Sequence, residues 1–450
     1  MDYKHHETGI SLVNLLTNSG FGVWSNSGLT QGVTGRQTDF NVSEILADAD
    51  GSSFASWVEA GATMTDAGAN LLITEAASGG TQTSRYVLTV EIGKLYKVAV
   101  VTVDGTGAWG ATDILKAQAN GGGALIASKT GLAAGTHSII FEATAVNNEI
   151  EIFTNLGAAG GTTLNITSIY VDEVTPGCVA ADALGPDGWY KDTTLDVWRQ
   201  HNDAIYTKDG AFYSLKAITG AASDFLRYPL NTIRALPEWY QRFAGRIVTV
   251  GVWVYTDTAS HVRIEINDGV GADSSSYHTG GSTFEWIEVT YTVSTAASQF
   301  WVDIRFAINA TTAYISQPML VFGSSIGEGN YVPSVGAIVN CEKNIALTDY
   351  TADAVAADAT INLESQSNGM IPKGCKAVHG WIEGQNSAAD KYLDLLSASG
   401  GVKATRLTSQ VANIETGHSF RAICNSNGDI YIDVEDANWD DVTIEINAIE

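Results

Sequence analysis

Apolar and polar positions alternate along most of this chain, and the alternation follows the same course twice before residue 325. The first course opens at Asn14-Leu15-Leu16-Thr17-Asn18-Ser19-Gly20-Phe21, with an aromatic at Trp24. It continues through Leu95–Val103, His137–Ala145 and Ile150–Phe153, and closes at Leu164–Val174. The second opens at Gly188-Trp189-Tyr190, runs through Ile247–Tyr255, Trp286–Val293 and Phe300–Phe306, and closes at Ala313–Val321. Period-two alternation in runs of this length predicts half-buried antiparallel strands. A repeat this long is a whole domain and not a solenoid unit.

A third region carries the same pattern at Lys376–Glu383, Asp429–Val434 and Val442–Asn447. Lys391–Leu396 fits a helix or a strand, and a strand is the better fit to its surroundings. Leu236–Gly245 predicts one or two helical turns ended by glycine. Glycine clusters at 121–123 and 157–161 mark loops, and turn residues at 175–188 and 323–330 mark linkers. The expected architecture is all-β: three antiparallel, jelly-roll-like β-sandwich domains in series. An N-terminal arm takes residues 1–10, and the domains take 11–176, 187–325 and 335–450.

Composition narrows the partners. Of 450 residues, 45% are hydrophobic, which suits packed cores despite 46 glycines. The net charge of −26 disfavours phosphate backbones and anionic lipid. That acidity is spread: 17 acids against 7 bases in residues 1–177, 16 against 10 in 178–340 and 17 against 7 in 341–450. No stretch of about twenty apolar residues is present to span a bilayer, and the opening Met1-Asp2-Tyr3-Lys4-His5-His6-Glu7 has no basic-then-apolar leader, so folding in a cytoplasm is expected. Four dispersed cysteines, Cys178, Cys341, Cys375 and Cys424, read as free thiols, because thiolate metal sites want close pairs.

The order of motifs resembles the carbohydrate-binding-module-like jelly rolls of bacteriophage tail-fibre and other virion proteins, also found beside glycosidases. Asn14–Phe21 looks like that family's first strand, and Tyr170-Val171-Asp172-Glu173-Val174 like its closing strand. Phe243–Val254 looks like its central strand, Gln317–Gly323 followed by Tyr331–Ser334 is similar to the phage branch, and Ile371–Val378 with Asn427–Tyr431 resembles a terminal fibre domain. The first region lacks the Gln-Pro ending, and the second lacks a clear Asn-Gly-Phe opening. The resemblance implies a non-enzymatic virion protein, made in the host cytoplasm, that displays lectin-like domains to host-surface glycan. It implies attachment to other virion proteins through the arm, and a homotrimer, which would also shield sheet edges. A capsid decoration or head-fibre protein with a purely structural role, and an accessory module of a polysaccharide-degrading enzyme, are the alternatives.

Sugar contact needs exposed aromatic faces with amides or carboxylates beside them. Loop-like context makes Trp109, Trp189, Tyr190, Trp198, Trp239 and Tyr240 the candidates, while Trp253, Trp286 and Trp301 read as core. Asp172 matches the family's closing-strand acid, which implies a possible structural calcium as the one cofactor. Asp48 through Glu59 has oxygen ligands at calcium-loop spacing but Ser53 where glycine belongs, so it reads as coincidence. Gly105–Gly110 fits the dinucleotide glycine pattern, but in an antiparallel setting it also reads as chance. No Gly-x-Ser-x-Gly, His-Glu-x-x-His or phosphate loop occurs, and His278 and His379 are isolated.

Overall fold

In the computed structural model, the described residues are 13–28, 57–66, 71–75, 82–154, 161–179, 183–201, 205–209, 211–229, 239–334 and 338–450. The arm at 1–10 and Asp48–Ser53 lie outside them. The chain falls into two compact units, one drawn from residues 29–175 and the other from 1–28 together with 176–450.

The first unit is one sandwich of ten strands among the described residues. They are β1 (Trp57–Ala60), β2 (Ala62–Asp66), β3 (Leu71–Glu75), β4 (Gln82–Thr89), β5 (Leu95–Asp104), β6 (Ile114–Ala119), β7 (Leu125–Thr130), β8 (Gly135–Glu142), β9 (Asn147–Thr154) and β10 (Thr163–Glu173). Two five-stranded sheets, ordered β1-β4-β9-β6-β7 and β2-β3-β10-β5-β8, enclose a core of Met64, Ile73, Val98, Val100, Ile150, Ile152, Ile166 and their neighbours. The Gly105–Gly110 turn joins two strands of antiparallel sheets, so no parallel nucleotide fold surrounds it.

The second unit holds two sandwiches. One contains β11 (Gly177–Cys178), β12 (Tyr190–Lys191), β13 (Asp196–Gln200), β14 (Ser214–Ile218), β15 (Phe225–Tyr228), β16 (Ile247–Thr256), β17 (Val262–Asn267), β18 (Ala272–Ser274), β19 (Thr283–Thr292), β20 (Trp301–Phe306) and β21 (Thr312–Phe322). Its sheets are ordered β11-β13-β14-β21-β16-β19 and β12-β15-β20-β17-β18. Strict alternation shows in β17, where Val262, Ile264 and Ile266 are buried and Arg263, Glu265 and Asn267 face outward. A 3-10 turn at Trp239–Arg242 ends at Gly245, whose φ of 73° is a left-handed value that glycine adopts without strain. Phe243, just after it, stacks on Phe300 at 4.1 Å inside the core.

The other sandwich of this unit contains β22 (Val339–Val355), β23 (Ala359–Ile361), β24 (Ala377–Asn386), β25 (Lys391–Leu396), β26 (Lys403–Ser409), β27 (Thr416–Ile423), β28 (Ile430–Val434) and β29 (Trp439–Ile449). Its sheets run β22-β29-β24-β27 and β23-β28-β25-β26, with the short helix α1 (Leu363–Gln366) capped by Asn362. Every strand pair in the three sandwiches is antiparallel, as the alternation predicts, and Lys391–Leu396 is a strand.

One boundary differs from the sequence reading. Residues 13–28 belong with the second and third sandwiches, not with 29–175 as the expected 11–176 domain requires. The reason is hydrogen bonding at long range. Asn14 satisfies β21 in both directions, its Nδ2 donating to Pro318 O (3.0 Å) and its Oδ1 accepting from Leu320 N (3.2 Å), while Leu15 N donates to Leu320 O. Leu16, Phe21 and Trp24 then join the core of the second sandwich, and Val23 joins that of the third.

Candidate functional site

Residues 13–28 fix two sandwiches to each other and thereby shape the space between them. Asp187, completely buried, accepts from Ser25 N and Ser25 Oγ on this segment and from Glu342 N (2.7 Å) on β22. Burial pushes the Asp187 carboxyl up, although these donors pull it back. Arg199 on β13, also completely buried, donates to Gly22 O (2.8 Å) and lies 3.6 Å from Glu364 of α1. Burial, then the Arg199 charge, holds the neighbouring His201 imidazole well below its usual range, so it stays neutral. Trp24 N completes the link by donating to Met370 O.

Beside this junction is a cleft of about 900 Å³. One wall is the outward face of the sheet that contains β16 and β21; the other is formed by Pro372–Cys375 and Glu450 of the third sandwich. Phe212 stands at the mouth with 77% of its surface exposed, unusual for a large apolar ring in a folded chain. Tyr213 beneath it is nearly buried, edge-on to His201 and with Arg199 over its ring at 4.6 Å. Deeper lies Trp253, with Lys208 Nζ 4.1 Å from its ring centre.

Polar groups converge on the same space. The β16–β21 register slips between Gly251 and Trp253, and at this bulge Gln317 takes a φ of 52°, in the left-handed region. Bulges and left-handed non-glycine residues concentrate where a side chain must be re-aimed. Gln317 Nε2 donates to Asp209 O (3.1 Å), which orients the carboxamide on the cleft wall. Tyr331 bonds Ser19 at 3.1 Å, and burial raises its phenol, so it remains a neutral hydroxyl. Cys375 also lines the cleft. Its sulfur lies 3.6 Å from that of Cys424, and this hydrogen bond together with burial raises its pKa, keeping it a thiol. All four cysteines are buried, and none is in a disulfide.

The tryptophans singled out from the sequence do not gather here. Trp109 is buried in the first sandwich at 5% exposure, because its indole N–H turns inward to the carbonyls of Val103 (3.1 Å) and Asn165 (3.1 Å). Trp189 has no exposed surface and sits between Phe21 and Tyr228. Neither offers a face to a sugar. Tyr190 and Trp198 are half-buried on β12 and β13, and Tyr190 stacks on Phe225 at 5.9 Å. Trp239 opens the 3-10 turn, its side chain outside the described atoms, and Tyr240 is half-buried against the core. Sequence reading missed Phe212, Tyr213 and Gln317, and also Trp381, which is 41% exposed on β24 and bonded to Glu383.

Calcium binding wants six to eight oxygens. Asp172 is buried at 4% on β10, and its register partner on β5 is Lys97. Among the described residues no three His, Cys, Asp or Glu side chains gather as a metal site. No helix among the described residues is long and apolar enough to cross a membrane.

No family model matches this chain, and no curated protein matches it. Solved structures do. The tandem CBM22-1-CBM22-2 modules of Paenibacillus barcinonensis Xyn10C are 11% identical and are matched over 60% of this chain and 94% of theirs, with a TM-score of 0.25. The enzymatically active domain of bacteriophage CBA120 tailspike protein 4 is 12% identical over 30% of this chain and 19% of its own, with a TM-score of 0.22. A chain of Sulfolobus Turreted Icosahedral Virus is 9% identical over 88% of this chain and 90% of its own, with a TM-score of 0.16. Likeness at these scores leaves the functional reading to this chain's own residues.

Proposed function

We propose that this chain is a non-catalytic glycan-binding protein of a bacteriophage virion, fibre-like or tail-associated, that attaches the particle to a host-surface carbohydrate. The observation that carries the binding reading is the cleft itself: an exposed Phe212 ring beside Tyr213, with Trp253 and the Gln317 carboxamide lining the same space. A ring face packs on pyranose C–H groups while amide and hydroxyl groups bond the sugar's hydroxyls. The virion assignment is supported by the resemblance of Asn14–Phe21, Gln317–Gly323 and Tyr331–Ser334 to phage fibre jelly rolls. On this reading the N-terminal arm docks on other virion proteins, and a homotrimer multiplies a weak single-site affinity through effective concentration.

A glycan array read beside a reducing-sugar assay tests it. Binding without released sugar is the expected result, and Phe212→Ala should weaken it about threefold to tenfold, the contribution of one aromatic face. Because Phe212 is exposed, the variant keeps its fold. Released sugar would move the protein to the accessory-enzyme reading. Neither binding nor release would leave a structural cement, whose place on the head or tail cryo-electron microscopy of particles would reveal.

A further inference from the structure

The other sheet of the second sandwich, β12-β15-β20-β17-β18, turns a different surface to solvent. Its inward residues, Leu226, Val302, Ile304, Ile264 and their neighbours, are core. Outward, pairing fixes the neighbours: Arg227 lies opposite Asp303, Phe225 opposite Arg305, Arg263 opposite Arg305, and Tyr190 opposite Arg227. The register therefore interleaves arginines with aromatic rings. Arg227 lies over Phe225 (4.5 Å) and Trp301 (4.0 Å), Arg305 over Phe225 (5.2 Å) and Arg263 over Tyr277 (5.1 Å).

Charge on this face does not balance. Asp303 is shared by Arg227, in a two-pronged pair at 2.6 and 2.8 Å, and Arg305 at 2.8 Å. Glu265 takes Arg305 at 3.0 Å and Arg263 at 3.5 Å. Three guanidinium groups thus share two carboxylates, leaving one positive charge over in a chain of net charge −26. Hydrogen bonding is incomplete as well. Trp301 Nε1, Arg305 Nε and Arg263 Nε are screened from solvent, with no acceptor among the described residues. Buried donors left without partners are costly, and three on one face is a concentration that an incoming acceptor would relieve.

We infer that this face is a second binding site, distinct from the cleft, whose ligand is a carboxylated sugar. The carboxylate supplies the missing negative charge and acceptor oxygens, for which the planar arginine fork is shaped. Its ring packs on the Tyr190–Phe225 pair, stacked at 5.9 Å. Arg263, a third exposed and held by the long Glu265 contact and the Tyr277 ring, is the guanidinium that turns toward the ligand without breaking the Asp303 pairs. Remote acids do not cancel the site, because ordinary salt screens exposed charges beyond about 8–10 Å.

Calorimetric titration with tetragalacturonate, its neutral methyl ester and a sulfated oligosaccharide tests the inference. Tetragalacturonate should bind, more weakly as salt rises, and the ester should not. Arg263→Gln should weaken binding about tenfold, the loss of one charged hydrogen bond, while Glu265→Gln should tighten it about threefold by freeing cationic charge. A purely structural ion-pair network would not give these opposite signs. Phe212→Ala should leave tetragalacturonate binding unchanged, so failure of the cleft and failure of this site are separable. No tetragalacturonate binding by the folded protein, equal binding of the ester, binding of the sulfated sugar alone, or weakening by Glu265→Gln would each overturn it.

Discussion

The outward faces of the second and third sandwiches use one device to different ends. In each, a carboxylate with almost no exposed surface lies beneath basic side chains that cover an aromatic ring. Asp303 lies under Arg227 and Arg305 beside Phe225 and Trp301; Asp394 lies under Arg406 (2.7 Å to each oxygen) and Lys403 (2.6 Å) beside Tyr392. The third sandwich closes its account with acids to spare, since Asp433 lies opposite Asp394 and Glu435 holds Lys391. None of its buried polar side-chain atoms lacks a partner among the described residues. The arginine face of the second sandwich ends one anion short, with three orphaned N–H groups on that face. A buried ion pair alone therefore says little about function. Surplus charge and unmet donors over an aromatic floor are what separate a binding face from a structural one.

The most disruptive test strikes the junction that both sandwiches share. Asp187→Ala would leave Ser25 N, Ser25 Oγ and Glu342 N buried without an acceptor, at about 1–3 kcal/mol each before relaxation. We expect a net loss of about 3–5 kcal/mol, with the second and third sandwiches shifting together in urea unfolding followed by hydrogen exchange. Independent shifts would mean that the segment 13–28 does not couple them.

A more local test separates the two faces directly. Asp303→Ala removes a carboxylate from the central strand of a five-stranded sheet, leaving Arg227 without its two-pronged partner and Arg305 with Glu265 alone; with these side chains only 14% and 26% exposed, it should cost about 3–5 kcal/mol. Asp394→Ala should cost about 1–2 kcal/mol, because Arg406 and Lys403 are each 43% exposed and water replaces their partner. Equal losses in urea midpoints would remove the distinction between them.

The division between legible and illegible follows from the range of the interactions. Alternation is local, so β5, β16, β17, β24 and β29 could be read from their own residues, and so could the glycine that ends the 3-10 turn. Asn14 was misassigned because its partners are Pro318 and Leu320, some three hundred positions away, and no local pattern names them. Trp109 looks exposed among glycines, yet its indole bonds two carbonyls, Val103 on β5 and Asn165 on β10, that only strand pairing brings together. Phe212 gives no signal of its own in the sequence, because the opposite wall of its cleft comes from Pro372–Cys375, some 160 positions away. Tyr190 was named for a sugar and stands on the arginine face, but the three arginines lie on three separate strands that only pairing brings together.

The gentlest test uses pH on the third sandwich. Burial alone would raise the Asp394 carboxyl, but the hydrogen bonds and charges of Arg406 and Lys403 outweigh it, so in the folded protein it is held below its ordinary value. Unfolding releases that hold, and the unfolded chain then binds the proton more tightly. Stability from Asp394 is accordingly complete above the usual carboxylate range and is lost as pH falls through it toward the folded value. Asp394→Asn should cost about 1 kcal/mol near neutral pH, the scale of a pair with half-exposed partners, and progressively less in acid until parent and variant converge. Asp187 runs the other way, since burial raises it, and its ionisation opposes folding as pH increases past the ordinary value. Urea midpoints measured across the acid range for parent and Asp394→Asn would show the gap closing. A gap that stayed constant with pH would mean that Asp394 contributes by packing and hydrogen-bond shape, and the charge contrast between the two faces would lose its third-sandwich half.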